Sequence, residues 1–145
     1  MLIDSHCHLN FNAFDEDRHE VLARAAGAGI VAIINPATSL VDSRQIVGMA
    51  EERPNLFAAV GFHPNDVGDF DAAALDALRD LAGHPRVVAI GEIGLDYHWD
   101  TFPRARQREV FEKQLALAKA VNKPVIIHQR ESAEDTMVVL RRLPL

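Results

Sequence analysis

Short apolar runs alternate with longer amphipathic stretches along the whole chain. The apolar runs have the length of buried strands and cover 2–3, 30–34, 56–60, 87–90 and 124–128. The stretches between them repeat apolar residues every three or four positions, which predicts helices over 15–28, 39–53, 71–83, 104–121 and 132–143. Regular alternation of strand and helix indicates right-handed βαβ units and a parallel sheet. The predicted fold class is therefore α/β, with five strand–helix units.

Helix-start signals support three of these helices. Ser39 is followed three residues later by Asp42, and Ser132 by Asp135, so both serines have the form of a capping residue. Pro103 suits the first turn of the helix that follows it. These signals predict that helices begin close to 39, 104 and 132.

The residues after the first strand favour a barrel over an open sheet. An open nucleotide-binding sheet needs a glycine-rich turn at that point, whereas this chain has Ser5-His6-Cys7-His8. We therefore expect a parallel (β/α) barrel of TIM type, of which about five of the eight βα units are present. Residues 1–145 are expected to form a single domain, the N-terminal portion of such a barrel.

Composition and charge limit the classes of partner. The 145 residues are 48% hydrophobic, enough for one buried core, and carry a net charge of −6. No basic face is expected, so any bound phosphate would depend on metal ions for attraction. The absence of a leader or a membrane-spanning run predicts a cytoplasmic protein without membrane contact. The single cysteine, Cys7, excludes an internal disulfide and is expected to be a buried filler rather than a nucleophile.

The stretch from Val87 to Trp99 carries the strongest functional signal. Its apolar run ends at Gly91, and Glu92 follows directly. Gly91 and Gly94 are expected to let the backbone turn tightly while acidic side chains are held at the end of a buried strand. Catalytic groups collect at the carboxyl ends of parallel strands, so Glu92 is the first candidate catalytic residue.

Two further strand ends offer metal ligands. His6 and His8 lie two positions apart, so both imidazoles point to one side of an extended backbone, and His128 ends the fifth apolar run. With Glu92 they form a mixed histidine and carboxylate set, which suits zinc, manganese or magnesium. If Glu92 bridges two divalent ions, these would activate a water and stabilise a phosphoryl displacement. The alternatives are a solvated histidine pair at 6 and 8, and a packed structural histidine at 128.

Other residues near the strand ends are candidates for substrate binding or for supporting the ligands. His63 ends the third strand and could reach substrate, or it could fix its own loop through a backbone hydrogen bond. Asp96 could orient a ligand. Tyr97 and the aromatic residues after it could stack on bases or only cover the barrel mouth. The candidate phosphate contacts, unless they are merely solvated, are Arg130, Arg104 and Arg106.

The segments that carry these residues resemble those of the TatD-type metal-dependent deoxyribonucleases, in the amidohydrolase superfamily. The matching segments, in the family's order, are DSHCHLN at 4–10, GFHP at 61–64, GEIGLDYHW at 91–99 and PVIIHQR at 124–130. The resemblance implies a (β/α)8 barrel with His6 and His8 on one metal ion, Glu92 bridging, and His128 on a second. It also implies hydrolysis of phosphodiester bonds in DNA, typically from the 3′ end of single strands, with magnesium or manganese. Some relatives are D-aminoacyl-tRNA deacylases, so ester hydrolysis is an alternative.

The chain is shorter than such a barrel, which needs about 250 residues. The family's further histidine ligand and its late aspartate, which acts as general base, have no counterpart within 1–145. We expect a truncation, a partner chain that supplies the rest, or a dimer whose halves close on each other, in that order. A non-catalytic half-barrel that binds metal or a partner is a further alternative. Another alternative is an amidohydrolase that holds its metal with a carboxylated lysine. None of the chain's lysines is predicted at a strand end, however; they are Lys113, Lys119 and Lys123.

Overall fold

The fold is that of a computed structural model, which describes residues 1–99 and 101–143. The five predicted strands are present as β1 Leu2–Asp4, β2 Ile30–Pro36, β3 Leu56–Val60, β4 Val87–Asp96 and β5 Val125–Arg130. The five predicted helices are α1 Arg18–Gly27, α2 Leu40–Glu51, α3 Ala72–Ala82, α4 Arg104–Ala120 and α5 Ala133–Arg142. Two short 3-10 segments, Asn12–Phe14 and Pro64–Asp69, were not predicted.

The five strands form one parallel sheet in the order β1, β2, β3, β4, β5. Each strand therefore pairs with its neighbours in the chain, with Asp4 opposite Ile33 and His128 opposite Gly94. An open doubly wound sheet would reverse its strand order at a switch point, and this sheet does not. The prediction of five (β/α) units of a barrel is confirmed, and together they form a half-barrel.

The main core lies between the sheet and helices α2, α3 and α4. Phe111 and Leu115 of α4 are each 1% exposed and belong to the same packed cluster as Ile90 and Ile93 of β4. Burial of each apolar side chain of this size stabilises the folded chain by roughly 1.5–3 kcal/mol. Since nearly all of β4 is buried, the strand that carries Glu92 lies at the centre of the packing.

Two buried glutamines of α4 hold the polypeptide at the carboxyl ends of β3 and β4. Gln114 accepts a hydrogen bond from the backbone N–H of Phe62 at 2.7 Å and donates to the carbonyl oxygen of Phe62 at 3.1 Å. Gln107 makes the same pair of bonds with the backbone of Asp96, at 2.8 and 2.9 Å. Both glutamines are at most 1% exposed, so water does not compete for these bonds. Helix α4 thus positions two of the strand ends where functional residues were predicted.

Strand β4 does not end at Gly91, as the sequence predicted, but continues through Asp96. Its glycines make room for β5 instead of forming a turn. A Cβ on Gly91 would lie 2.7 Å from Cβ of Ile126, and one on Gly94 would overlap the backbone carbonyl oxygen of His128. Gly94 also has a φ of +146°, which strains any residue with a side chain. The prediction of a tight turn was wrong because a glycine marks a close backbone approach as readily as a turn.

Of the two serines predicted to cap helices, Ser39 does so and Ser132 does not. Ser39 caps α2, because its Oγ accepts a hydrogen bond from the backbone N–H of Asp42 at 3.2 Å. Ser132 makes no capping bond at the start of α5. Its hydroxyl donates instead to the carbonyl oxygen of Leu95 at 2.8 Å. The predicted capping role of Ser132 was wrong, and its hydrogen bond attaches α5 to β4.

Within residues 1–99 and 101–143, no helix combines the length and the apolarity needed to cross a membrane. The longest of them, α4, has 17 residues and carries basic and acidic side chains along its exposed face. The cytoplasmic location stays a prediction.

Candidate metal centre

Side chains from four strands meet at one edge of the sheet. His6 and His8 follow β1, His63 follows β3, Glu92 lies in β4 and His128 lies in β5. The strands are parallel, so these positions share one end of the half-barrel. The structure brings together the four predicted ligands His6, His8, Glu92 and His128, and places His63 beside them.

His6, His8 and Glu92 form the first candidate ligand group. The two Nε2 atoms are 3.1 Å apart, and Oε2 of Glu92 lies 3.2 Å from that of His6 and 3.3 Å from that of His8. A tetrahedral ion with bonds of about 2.0–2.1 Å separates its ligand atoms by about 3.3 Å. Two imidazole nitrogens and a carboxylate oxygen at this spacing therefore fit a divalent ion.

Glu92 also reaches the second candidate group, through its other oxygen. Oε1 lies 2.9 Å from Nδ1 of His128, and the same nitrogen lies 3.0 Å from Nε2 of His63. The two oxygens of one carboxylate therefore face two separate sets of nitrogen atoms. A carboxylate that bridges two ions needs this arrangement, but ligation by these residues stays a prediction.

The charge state of Glu92 suits a metal ligand. Burial opposes its ionisation, since the residue is 6% exposed, but hydrogen bonds from His128 and His8 outweigh burial and hold the pKa of Glu92 well below its usual range. For His128, burial lowers the pKa, but the carboxylates of Glu92 and Asp96 outweigh it, so the pKa is raised. In the chain without a cation, the two carboxylates therefore favour the charged form of His128.

Asp96 faces the side of His128 that points away from Glu92. Its Oδ2 lies 2.9 Å from Nε2 of His128, and the side-chain amide of Asn65 donates to the same oxygen at 3.2 Å. Burial opposes ionisation of Asp96, yet the bonds from His128 and from backbone N–H groups lower its pKa. When His128 is neutral, as a metal ligand must be, an acceptor at Nε2–H leaves the lone pair of Nδ1 on the side of Glu92, as in carboxylate–histidine–metal triads. The orienting role of Asp96 has the required geometry and stays a prediction.

His63 turns a protonated nitrogen toward the cluster. The backbone N–H of Asn65 donates to Nδ1 of His63 at 3.1 Å, so the neutral ring keeps its proton on Nε2. Burial, and then the nearby His128, lower the pKa of His63 to about 4, which makes the ring neutral at pH 7. A metal ligand presents a lone pair, whereas Nε2 of His63 presents a hydrogen. The bond to Asn65 is the backbone hydrogen bond of the structural alternative, and a substrate contact through Nε2–H stays a prediction.

The rings of His6 and His8, which follow β1, are held by fewer protein contacts than the ring of His128. The ring of His8 stacks on Phe11 with centroids 4.6 Å apart, and its Nδ1 is buried without a hydrogen-bond partner among the described residues. The side chain of His6 is 40% exposed. The backbone N–H of His6 donates to Oδ1 of Asp4 at 3.1 Å, which fixes the main chain but not the ring.

Tyr97 lies beside the cluster, and its hydroxyl bonds to another partner. It donates to Oδ2 of Asp135 on α5 at 2.5 Å. Burial and this hydrogen bond raise the pKa of Tyr97 to about 12. The guanidinium carbon of Arg104 lies 4.2 Å from the centroid of the Tyr97 ring. A substrate contact by either residue stays a prediction, since both already have structural partners.

The other two arginine candidates differ in availability. Arg130 is exposed, with its guanidinium carbon 5.3 Å from the centroid of the Trp99 ring. Arg106 donates to the backbone carbonyl oxygens of Val67 and Phe70. It therefore holds the segment that follows β3, and Arg130 is the better placed of the two for a phosphate.

Sequence reasoning missed Asn65 and Gln107, which hold the site without contributing a ligand. Asn65 bonds to both His63 and Asp96, and Gln107 fixes the backbone of Asp96. The only available signal for Asn65 was its position two residues after His63. The partner of Gln107 is 11 positions away, and no local pattern points to it.

Cys7 is less buried than the sequence predicted, and two of the lysines have structural partners. Cys7 is half-buried and packs against the cluster that contains Leu9; burial, and then Asp4, raise the pKa of its thiol. Lys113 pairs with Glu109 on α4. Lys123 donates to the carbonyl oxygen of Val87, the first residue of β4 and therefore distant from the cluster. Neither lysine is placed to act as a carboxylated metal ligand.

Relatives match nearly the whole chain. A family described as TatD related DNase matches residues 3–144. The uncharacterized metal-dependent hydrolase YabD of Bacillus subtilis is 43% identical over 141 residues, which are 97% of this chain and 55% of that protein. The 3'-5' ssDNA/RNA exonuclease TatD of Shigella flexneri is 34% identical over 139 residues, which are 96% of this chain and 54% of that protein.

Solved structures agree with these matches. The TatD homologue YjjV of Escherichia coli superposes with a TM-score of 0.91 at 37% identity, over 99% of this chain and 57% of that one. A TatD family hydrolase of Entamoeba histolytica gives a TM-score of 0.89 at 26% identity. The chain spans about half the length of the curated relatives it matches, and the half-barrel corresponds to the N-terminal part of their barrel. The chain thus belongs to the TatD family of metal-dependent hydrolases.

Proposed function

We propose that the chain contributes to a metal-dependent nuclease that hydrolyses phosphodiester bonds at the 3′ ends of single-stranded DNA. The observation that carries this proposal is Glu92, whose two oxygens face separate histidine groups at 2.9 Å and at 3.2–3.3 Å. This is the donor arrangement for two divalent ions such as magnesium, manganese or zinc. The relative named as an exonuclease on single-stranded DNA and RNA supports the choice of substrate.

The chain's own residues would have distinct tasks. His6, His8, Glu92 and His128 would hold the ions, which when bound lower the pKa of a water and neutralise charge on the phosphoryl group. The low pKa of Glu92 and the contact of Asp96 with Nε2 of His128 at 2.9 Å support these roles. His63 would donate its Nε2–H to an oxygen of the substrate, because its tautomer is fixed from the other side of the ring. The general base is not assigned to any residue of this chain.

A second candidate is a half-barrel that binds a partner through its open face. A cavity of about 450 Å³ on this face is lined mainly by apolar residues of β2, β4 and β5, including Ile34, Val88 and Val125. On the edge strand β1, Leu2 and Ile3 are 61% and 64% exposed. A complementing chain or a second copy would bury this surface, so a homo-oligomer or a complementing chain stays among the proposals. Hydrolysis of an ester such as an aminoacyl-tRNA bond is possible at the same metal site, but no contact favours it.

Hydrolysis of a 3′-labelled single-stranded oligonucleotide by the purified chain tests the nuclease proposal. We expect label release with added manganese or magnesium, and none with EDTA. Glu92→Gln should remove the activity, because it replaces an ionised ligand by a neutral amide. Glu51→Gln is the matched control, since Glu51 also pairs with a histidine, His84 at 3.1 Å, but lies outside the cluster.

The outcomes separate the two candidates. Metal-dependent release that is lost only in Glu92→Gln supports the nuclease. Activity retained in Glu92→Gln contradicts the assigned site. An inactive chain that sediments as a dimer, or that becomes active only with a complementing C-terminal fragment of a relative, supports the partner-binding half-barrel.

A further inference from the structure

The segment after β4 attaches an exposed tryptophan to the same carboxylate that contacts His128. Oδ1 of Asp96 accepts hydrogen bonds from the backbone N–H groups of His98 at 2.9 Å and Trp99 at 3.3 Å. The other oxygen of Asp96 bonds to His128. Any displacement of the Trp99 backbone is therefore opposed by a residue that also supports the candidate metal ligands.

The indole of Trp99 is held at the surface instead of being packed into the core. Trp99 is 60% exposed. The Arg130 guanidinium lies over its ring at 5.3 Å, and the His98 ring approaches it at 4.8 Å with an interplanar angle of 89°. His98 is fixed in turn by Glu131, whose Oε1 lies 2.8 Å from Nδ1. Neighbours on two sides limit the rotation of the indole while leaving most of its area open to a ligand.

This surface lies close to the metal cluster. Arg130 follows His128 by two positions on β5, so the two side chains lie on the same face of the strand, about 6–7 Å apart along it. Asp96 pairs with Arg130 and Gly94 with His128, which brings the ends of β4 and β5 to the same level. The surface is therefore about one nucleotide away from the place where the reacting phosphate would bind.

We propose that Trp99 and Arg130 form a stacking platform for the nucleotide next to the scissile phosphodiester. The base would stack on the open part of the Trp99 indole, and the Arg130 guanidinium would bind the phosphate of that nucleotide. The proposal rests on the proposed function for its substrate class, single-stranded nucleic acid. An aromatic platform is available only to an unstacked base, so it selects single strands over duplexes. The chain carries a net charge of −6, so a stacking contact adds affinity that overall electrostatic attraction does not supply.

The fluorescence of the chain reports on this platform directly. Trp99 is the only tryptophan among the 145 residues. A titration with a short oligodeoxythymidylate, in EDTA so that no hydrolysis occurs, should quench the emission in a saturable way. The same oligonucleotide annealed into a duplex should quench it far less. Binding of a labelled oligonucleotide, followed by anisotropy without any change in Trp99 emission, would overturn the proposal, and so would the absence of any binding.

Substitutions distinguish the contribution of base stacking to oligonucleotide binding from the contribution of the Arg130 charge. Trp99→Ala should weaken binding of the labelled oligonucleotide about tenfold, and Trp99→Phe should restore most of it, because stacking of a base on an aromatic ring has an effect of this size. Arg130→Gln should weaken binding and reduce its dependence on salt, whereas Arg130→Lys should keep the salt dependence. Arg86→Gln is the matched control, since Arg86 lies over Phe57 at 5.5 Å in another part of the chain. Wild-type affinity in Trp99→Ala would contradict the platform.

This test does not depend on catalysis. Quenching in a chain that does not cleave DNA with manganese would support the platform and count against the proposed nuclease. Cleavage without quenching would support the nuclease and overturn the platform.

Discussion

The two halves of the candidate metal centre are built differently. On the side of β4 and β5, His128 lies between Glu92 and Asp96 at 2.9 Å from each, and Asp96 is fixed by Asn65 and by the backbone bonds of Gln107. On the side of β1, the ring of His6 is 40% exposed, and His8 is positioned mainly by stacking on Phe11.

This difference indicates which half of the site needs a cation to become ordered. Both ring nitrogens of His128 have carboxylate partners, so that half is organised before an ion binds, although Oδ1 of Asn65 is buried without a partner among the described residues. His6 and His8 bring two ring nitrogens to 3.1 Å from each other and to 3.2–3.3 Å from one oxygen of Glu92, and Nδ1 of His8 is buried without a partner among the described residues. We expect that half to become ordered when an ion binds, and the following predictions test this, from the largest effect to the smallest.

Gly94→Ala should damage the β4–β5 half most. The added Cβ would overlap the carbonyl oxygen of His128, and the φ of +146° adds strain, so we expect the chain to lose at least about 2 kcal/mol of unfolding free energy. Urea denaturation measures this. Gly48→Ala on α2 is the control, because its Cβ would meet nothing within 4 Å and should cost nothing or stabilise the helix. Equal losses of unfolding free energy in the two variants would contradict the close contact between β4 and β5 at Gly94.

Asp96→Asn should weaken metal binding about 10- to 100-fold, because the neutral amide is a weaker acceptor for Nε2–H of His128 and no longer raises the basicity of the ring. Calorimetric titration with manganese or zinc measures the affinity. Asp135→Asn is a control of the same chemistry, since Asp135 accepts from Tyr97 outside the cluster. Unchanged affinity in Asp96→Asn would mean that His128 needs no orienting carboxylate.

The stability of the metal-free chain should depend on the protonation of His63. The pKa of His63 is lowered from about 6.5 to about 4, so between these values the unfolded chain binds a proton that the folded chain does not. Unfolding free energy should therefore fall as the pH decreases through that window, by on the order of 1–2 kcal/mol from this residue after solvent screening.

The raised pKa of His128 has the opposite effect on stability as the pH falls. The effect of His63 must therefore be measured by comparing the wild type with a His63 variant. His63→Gln should show a shallower loss of stability than the wild type between about pH 7 and about pH 4.5, measured by urea denaturation in EDTA. Parallel pH profiles for the two proteins would contradict the assignment of a neutral, buried His63.

Phe11→Ala should weaken metal binding least, by less than about tenfold, because it removes only the ring on which His8 stacks. Phe57→Ala controls for the loss of a partly exposed phenylalanine elsewhere in the chain. The same titration measures both variants. A loss as large as that in Asp96→Asn would reverse the comparison between the two halves.

The sequence was sufficient for the parts of the fold that depend on local patterns. Apolar runs and helical stripes predicted all five units, and residues at strand ends identified Glu92 and His128. Gly91 and Gly94 were misread because turns and close strand contacts both require glycine, and only the neighbouring strand shows which applies. Ser132 was misread for a similar reason, since its hydroxyl bonds to Leu95, 37 positions away.

The supporting residues of the site could not be predicted. Gln114 bonds to the backbone of Phe62 across 52 positions, and Asn65 to Asp96 across 31. These bonds exist because the fold brings distant segments together, so no spacing in the sequence reveals them. The candidate ligands, in contrast, could be proposed from the sequence because metal chemistry restricts ligands to few residue types.

The central claim is that one carboxylate, Glu92, joins both ligand groups. Equilibrium dialysis against manganese, comparing the wild type with Glu92→Gln and Glu51→Gln, tests this claim most directly. We predict that the wild type and Glu51→Gln bind up to two ions per chain and that Glu92→Gln loses tight binding of both. Manganese binding by Glu92→Gln with the stoichiometry and affinity of the wild type would contradict the account.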